Sequence, residues 1–95
     1  NVITKGNYFQ DKLRLLKEKF PGVIVEIRGK GLIIGVELKE KGSAVQRSCQ
    51  EKGLLVNCIG DRVLRFLPPL NVSREEIDEA LEVLSRSLEE VFSGE

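Results

Sequence analysis

The sequence contains no histidine, methionine or tryptophan, and only two of its 95 residues are cysteines. Without histidine, a Ser-His or Cys-His nucleophilic pair is excluded, and so is acid-base catalysis by an imidazole. Cys49 and Cys58 belong to no CxxC motif and lack a histidine that could complete a zinc site. We therefore expect no metal site. We interpret both cysteines as free thiols, Cys49 on the buried face of a helix and Cys58 at the end of a strand.

Net charge and long apolar runs are also absent. Lysine plus arginine and aspartate plus glutamate number 15 each, so no net field attracts the chain to a phosphate backbone or an anionic membrane. The longest apolar stretches, residues 31–36 and 53–56, are far shorter than the roughly 20 residues of a membrane span. We expect neither nucleic acid nor a membrane as a partner. The start of the chain lacks the apolar segment of a signal peptide, which together with the free thiols favours a cytoplasmic location.

A chain of 95 residues with 41% apolar and 32% charged residues has the size and composition of one globular domain. We therefore place no domain boundary within residues 1–95. The lack of methionine and the first residue, Asn1, suggest that the chain is a piece of a longer protein.

The spacing of apolar residues predicts a helix near each end of the chain. The first helix carries its apolar face on Phe9, Leu13, Leu16 and Phe20 and ends at Pro21-Gly22. The last helix begins at a capping box formed by Ser73 and Glu76. Its apolar stripe repeats at intervals of four and three residues over Ile77, Leu81, Leu84, Leu88 and Val91.

A further helix and four strands are predicted between them. Ser43 and Gln46 fit a second capping box, for a short helix that runs to Lys52 with Gly53 as its C-cap. Residues 23–27 and 32–38 are predicted strands joined by a glycine turn at residues 28–31, and residues 54–59 and 63–67 form the second pair. The order is helix, strand, strand, helix, strand, strand, helix. We predict an α+β fold with a largely antiparallel sheet of about four strands, covered by helices on one face.

Two residues within the predicted strands are unusual for their positions. Gly35 inside the second strand indicates a bulge or a place where another backbone comes close. Arg65 is a single charge among apolar neighbours, in a strand that ends at Pro68-Pro69. It is interpreted either as an edge-strand arginine paired to Glu26 or Glu37, or as a bidentate clamp for a carboxylate.

Three segments resemble one family of enzymes. Residues 25–38, VEIRGKGLIIGVEL, resemble the VRGxGLMxGxEL segment of class III aminotransferases, which are pyridoxal-phosphate enzymes of fold type I. Residues 53–57 and 63–70 resemble the GLLVN and VLRFLPPL stretches of the acetylornithine branch, and the acidic helix start at residues 73–78 also matches. The matches occur in the right order between about residues 6 and 88, so they are more specific together than any single motif.

The resemblance implies that residues 1–95 are the small C-terminal domain of such an enzyme and that the large cofactor-binding domain is absent from this sequence. In the family, the cofactor lysine, the aspartate at the pyridine nitrogen and the phosphate-binding groups belong to the large domain. We therefore expect no catalytic and no cofactor-binding residue in this chain. The resemblance assigns Arg65 to binding of a substrate carboxylate.

The implied parent enzyme is a cytoplasmic homodimer of arginine biosynthesis. It would transfer the amino group of N-acetylornithine to 2-oxoglutarate, giving N-acetylglutamate semialdehyde and glutamate. Ornithine, succinylornithine or 4-aminobutyrate remain alternative amino donors within the class. Two alternatives outside it are a free-standing regulatory module that binds an amino acid through Arg65, and an interaction domain that binds a partner through Val2, Ile3, Tyr8 and the surface at Gly35.

Overall fold

Helices and strands follow each other in the predicted order in the computed structural model, which describes residues 2–93 and the side chains of residues 3–93. The elements are α1 (Val2–Lys19), β1 (Ile24–Lys30), β2 (Ile33–Leu38), α2 (Gly42–Glu51), β3 (Asn57–Ile59), β4 (Val63–Phe66) and α3 (Arg74–Phe92). The α+β prediction is confirmed. No helix within the described residues is long and apolar enough to span a membrane.

The four strands form one antiparallel sheet in the order β1-β2-β4-β3. β2 and β4 are therefore the central strands. Alternate residues of β4 differ in burial, since Leu64 and Phe66 are buried while Arg65 is exposed. In β2, Ile34 and Val36 are likewise buried, whereas the alternate residues Ile33, Gly35 and Glu37 lie on the opposite side of the sheet. The buried side faces the helices, and we call the opposite side of the sheet the outer face.

Side chains from all three helices and the sheet meet in one core. Phe9 of α1 packs against Phe66 of β4 with ring centroids 5.6 Å apart, and Leu13 is fully buried. The predicted apolar faces are confirmed, with Leu16 and Phe20 at the margin of the core. Tyr8 lies off this stripe and its hydroxyl donates to Asp78 of α3, 2.6 Å away. This hydrogen bond raises the pKa of Tyr8.

The predicted turn between β1 and β2 is wrong in position. Residues 28–30 lie within β1, where Arg28 pairs with Gly35, and the connecting loop is Gly31-Leu32. Leu32 is 6% exposed, so the loop is held in the core. A Cβ atom at residue 29 would lie 2.5 Å from the side-chain nitrogen of Gln10, so Gly29 leaves room for the Gln10 side chain of α1 beside β1. Gly31 has a φ of 63° and alone meets the need for a left-handed turn residue.

The predicted capping box at Ser43 is also wrong. α2 begins at Gly42 after Lys41 in a left-handed conformation, and no side chain of the cap residue binds the helix. The Ser43 amide instead donates to Asp61 Oδ1 at 2.8 Å, from the turn between β3 and β4. The Gln46 side chain donates to the carbonyl of Val56 at 2.9 Å, so it binds the residue that directly precedes β3.

Two other predicted helix ends are confirmed. Ser73 Oγ accepts from the Glu76 amide at 3.1 Å, and Glu76 Oε1 accepts from the Ser73 amide at 2.9 Å. After α2, Gly53 adopts a φ of 88°. The amides of Gly53 and Leu54 donate to the carbonyls of the last helical turn at 3.0 and 2.9 Å, which is the Schellman pattern.

Candidate substrate-binding site

Arg65 lies on a central strand of the sheet and not on an edge. Its Cα partners are Gly35 on β2 and Asn57 on β3. Directly opposed residues of antiparallel strands share a face, so these two residues flank Arg65 on the outer face. Buried Leu64 and Phe66 fix the strand on either side of it, and Pro68-Pro69 follow the strand. Arg65 is therefore presented to solvent from a rigid backbone.

Arg28 binds the two glutamates that the sequence offered to Arg65. Its Nη2 atom lies 2.6 Å from Glu37 Oε1 and 2.7 Å from Glu26 Oε2. The hydrogen bond to Glu37, followed by the charge of Glu26, raises the pKa of Arg28. The cross-strand register explains the choice, because Glu26 pairs with Glu37 and Arg28 lies two residues further along the same face. The hypothesis of an edge-strand ion pair for Arg65 is therefore wrong.

The guanidinium of Arg65 has no partner among the described residues. Within residues 3–93, no side chain or carbonyl forms a hydrogen bond or ion pair with it. Arginine presents a planar fork of donors that matches the two oxygens of a carboxylate. Of the two arginines on this face, only Arg65 offers its fork to a ligand.

A groove runs along the outer face beside Arg65. It has a volume of about 390 Å³, which is within the range of small-molecule sites. Arg28 and Arg65 form its walls on β1 and β4, and Gly35 lies between them. The remaining lining residues are Gly29, Lys30, Ile33, Ile34 and Val63.

Sequence reasoning singled out Arg65 and Gly35 but did not bring them together. Asn57 and Lys30, which also lie on the outer face, were missed as neighbours of the site. The signal that would have found them is the pairing register. The pattern of apolar and polar positions predicts the two faces of each strand, but the register decides which residues of neighbouring strands lie side by side.

The described residues do not fit pyridoxal phosphate by themselves. A carboxylate facing the pyridine nitrogen is needed, yet Glu26 and Glu37 are both bound to Arg28. Lys30, the lysine of the groove, lies exposed at the end of β1. No helix begins at the groove to provide the backbone amides that hold a phosphate group.

Comparison with known proteins decides the family. The sequence profile of aminotransferase class III matches residues 1–88. The chain belongs to the class III aminotransferases. This membership agrees with the fold, because the chain superimposes on a solved lysine aminotransferase from M. tuberculosis with a TM-score of 0.91, at 30% identity over 95% of this chain.

Named relatives in the class III family include two kinds of aminotransferase. An acetylornithine aminotransferase of Methanocaldococcus jannaschii is 50% identical over 97% of this chain. An ornithine aminotransferase of Staphylococcus carnosus is 46% identical over 85% of it. The chain spans only about a fifth of these proteins, 22% and 20% of their lengths, and 21% of the lysine aminotransferase structure.

Proposed function

We propose that the chain is the small C-terminal, substrate-carboxylate-binding domain of a pyridoxal-phosphate aminotransferase of the acetylornithine type. The parent enzyme would transfer the amino group of N-acetylornithine to 2-oxoglutarate, in arginine biosynthesis. Family membership and the acetylornithine aminotransferase at 50% identity support this assignment. A large domain of the same protein would hold the cofactor, since the relatives are between four and five times as long as the matched segment. A cytoplasmic homodimer remains part of the proposal.

One observation carries the role of Arg65. Two arginines share the outer face, and Arg28 is bound by two carboxylates of the domain whereas Arg65 has none among the described residues. The planar fork of an arginine is preorganised, so less freedom is lost for each hydrogen bond when it binds a planar anion. Arg65 would therefore take the substrate carboxylate as the partner that the domain itself does not provide.

The chain's contribution to the reaction is positioning. The bound cofactor would supply the electron sink for amino-group transfer. Arg65 would fix one end of the substrate, so that its amino or oxo carbon is directed toward the large domain. The outer face would at the same time cover the substrate and exclude water from it.

The full-length enzyme with Arg65→Lys tests this role. Lysine keeps the charge but loses the planar fork. We expect a lower kcat/KM for the carboxylated substrates. The decrease should correspond to a loss of on the order of 2 kcal/mol or more in transition-state stabilisation. The melting temperature and cofactor absorbance should stay unchanged. Arg86→Lys, the same change at an exposed arginine on α3, is the matched control, and near-normal kinetics for both variants would refute the clamp.

The amino donor can be determined in the same assays. Ornithine is the competing candidate, because the S. carnosus relative is named for it. Comparing kcat/KM for N-acetylornithine and ornithine distinguishes them. A clear preference for ornithine would reject the acetylornithine assignment but leave the role of Arg65 intact.

A further inference from the structure

Gly35 lies in the middle of the central strand β2, where neither the strand pairing nor the backbone conformation requires glycine. The register of β2 with both neighbours is regular at this residue, and the irregularity in the β1 pairing lies between Ile24 and Glu26. Its φ is not among the positive values found in the described residues. Glycine inside a strand is less stable than alanine because it loses more backbone freedom on folding. The expected bulge is thus absent.

Packing inside the domain does not require glycine here either. A Cβ atom on Gly35 would meet only Val63 Cγ1 within 4 Å, at an ordinary contact distance of 3.7 Å. Gly42 is different, because a Cβ atom there would lie 2.7 Å from the Asp61 carbonyl oxygen. Gly42 is required by the fold, whereas the missing side chain of Gly35 leaves space only outside the domain.

That space is the floor of the groove beside Arg65. Gly35 is the direct cross-strand neighbour of both Arg28 and Arg65, which form the two walls. Ile33 and Val63 add apolar surface to the lining. Arg28 and its two glutamate partners together carry one negative charge, and the positive charges of Arg65 and Lys30 outweigh it, so this part of the outer face is net positive. A small anion with a hydrocarbon chain is complementary to this combination.

We propose that Gly35 is a specificity-determining residue that admits the carbon chain of a linear carboxylated substrate against the sheet beside Arg65. The substrate class is an amino acid or 2-oxo acid whose carboxylate binds Arg65 while its methylene chain lies in the groove. This inference rests on the proposed function, since it takes Arg65 as the carboxylate-binding group. Any side chain at residue 35 would occupy the position of the substrate chain.

The experiment is a graded series in the full-length enzyme, Gly35→Ala and Gly35→Val. We expect KM for the carboxylated substrates to rise with side-chain size, by roughly tenfold for valine. Cofactor absorbance should stay at the wild-type value and the melting temperature should not fall, because the fold has room for a Cβ atom at this position and glycine is the less stable residue inside a strand. Ser85→Val is the control for added side-chain volume and should leave KM unchanged, since Ser85 lies on α3 and is not among the described residues that line the groove.

Each outcome supports or overturns the inference. A size-graded KM with a melting temperature no lower than that of the wild type supports it, whereas wild-type KM in Gly35→Val overturns it. A lower melting temperature or loss of cofactor in Gly35→Val would show that a segment of the protein fills the groove, and this also overturns it. Arg65→Lys is measured in parallel. If that variant fails while the glycine series is neutral, the carboxylate clamp stands and only the role of Gly35 is rejected.

Discussion

At the scale of single residues, neighbours decide what an arginine can do. Arg28 and Arg65 stand on the same face, with Gly35 between them in the register. Surface ion pairs such as those of Arg28 contribute little stability, typically below about 1 kcal/mol. Their effect here is to occupy Glu26 and Glu37. The carboxylates that could have bound Arg65 are thus held away from it.

The two cysteines should react at different rates with an alkylating reagent. Cys49 is fully buried in α2, and burial raises the pKa of its thiol. Cys58 is half-buried in the middle of β3, and both thiols are free. Because the thiolate is the reactive form, we expect iodoacetamide to modify Cys58 first and Cys49 only on unfolding. Peptide mass spectrometry after timed labelling measures this.

Equal labelling of both cysteines in the native state would contradict the burial of Cys49. An internal disulfide, visible as a mass deficit that reduction reverses, would contradict the free thiols. Labelling in denaturant, where both thiols are exposed, is the control for reagent activity.

Sequence could identify Arg65 as unusual but could not choose its role. Its apolar neighbours marked an isolated charge, and both an ion pair and a carboxylate clamp fitted that pattern. The choice depends on which residues face each other across three strands. A shift of one residue in register would reverse every face, and the hairpin loop that sets the register was predicted in the wrong place.

At the scale of secondary structure, α2 and α3 obtain their N-terminal acceptors differently. Glu76 and Ser73 bind each other within the first turn of α3, and the backbone hydrogen bond from Ser73 lowers the pKa of Glu76. Asp61 accepts from the amide of Ser43 at the start of α2, and this lowers the pKa of Asp61. α3 is thus capped by its own sequence, and α2 by a distant turn.

Two serine substitutions should therefore differ in their effect on stability. Ser73→Ala removes a side-chain cap and should lower the free energy of unfolding by about 1 kcal/mol. Ser43→Ala should cost clearly less, because the Ser43 side chain caps no helix and the substitution keeps the backbone amide that donates to Asp61. Urea denaturation of the three proteins at neutral pH measures both values. A loss for Ser43→Ala as large as that for Ser73→Ala would contradict the observed capping.

The same sequence pattern gave one correct and one wrong cap prediction. A serine followed three residues later by glutamate or glutamine fits a capping box in both helices. At residues 43–46, Asp61 lies close enough to replace the local acceptor, and Gln46 turns to the Val56 carbonyl. Local pattern predicts a cap correctly only where no tertiary contact competes for the same amide.

At the scale of the whole molecule, the sheet has one covered and one open face. Buried residues of β2 and β4 pack on the helices, while Ile33 and Ile59 on the outer face are 58% and 49% exposed. Leu55, Leu67 and Leu70 add further exposed apolar surface near the ends of β3 and β4. Such surface is typical of a contact region for another protein part. This agrees with a chain that matches only a fifth of its relatives' length.

The isolated 95-residue chain should fold cooperatively but should not bind pyridoxal phosphate at a specific site. The core is continuous across all elements, whereas the described residues provide no cradle for the cofactor. Exposed lysines should react only weakly and without preference. Borohydride reduction followed by peptide mapping measures this, with the full-length enzyme as the positive control. A stoichiometric adduct at one lysine of the isolated chain would overturn the expectation.

Because the acceptor that caps α2 lies later in the chain, the two helix caps can form at different stages of folding. The α3 cap closes over three residues, but the Ser43 amide must wait for an acceptor 18 residues further along the chain. During synthesis, α2 therefore emerges before its acceptor exists, and the helix is completed only when β3 and β4 have turned back on each other. Closing that longer loop carries an additional entropic cost. We therefore expect the N-terminal cap of α2 to form only together with the β3-β4 turn that carries Asp61, whereas the cap of α3 can form within its own first turn.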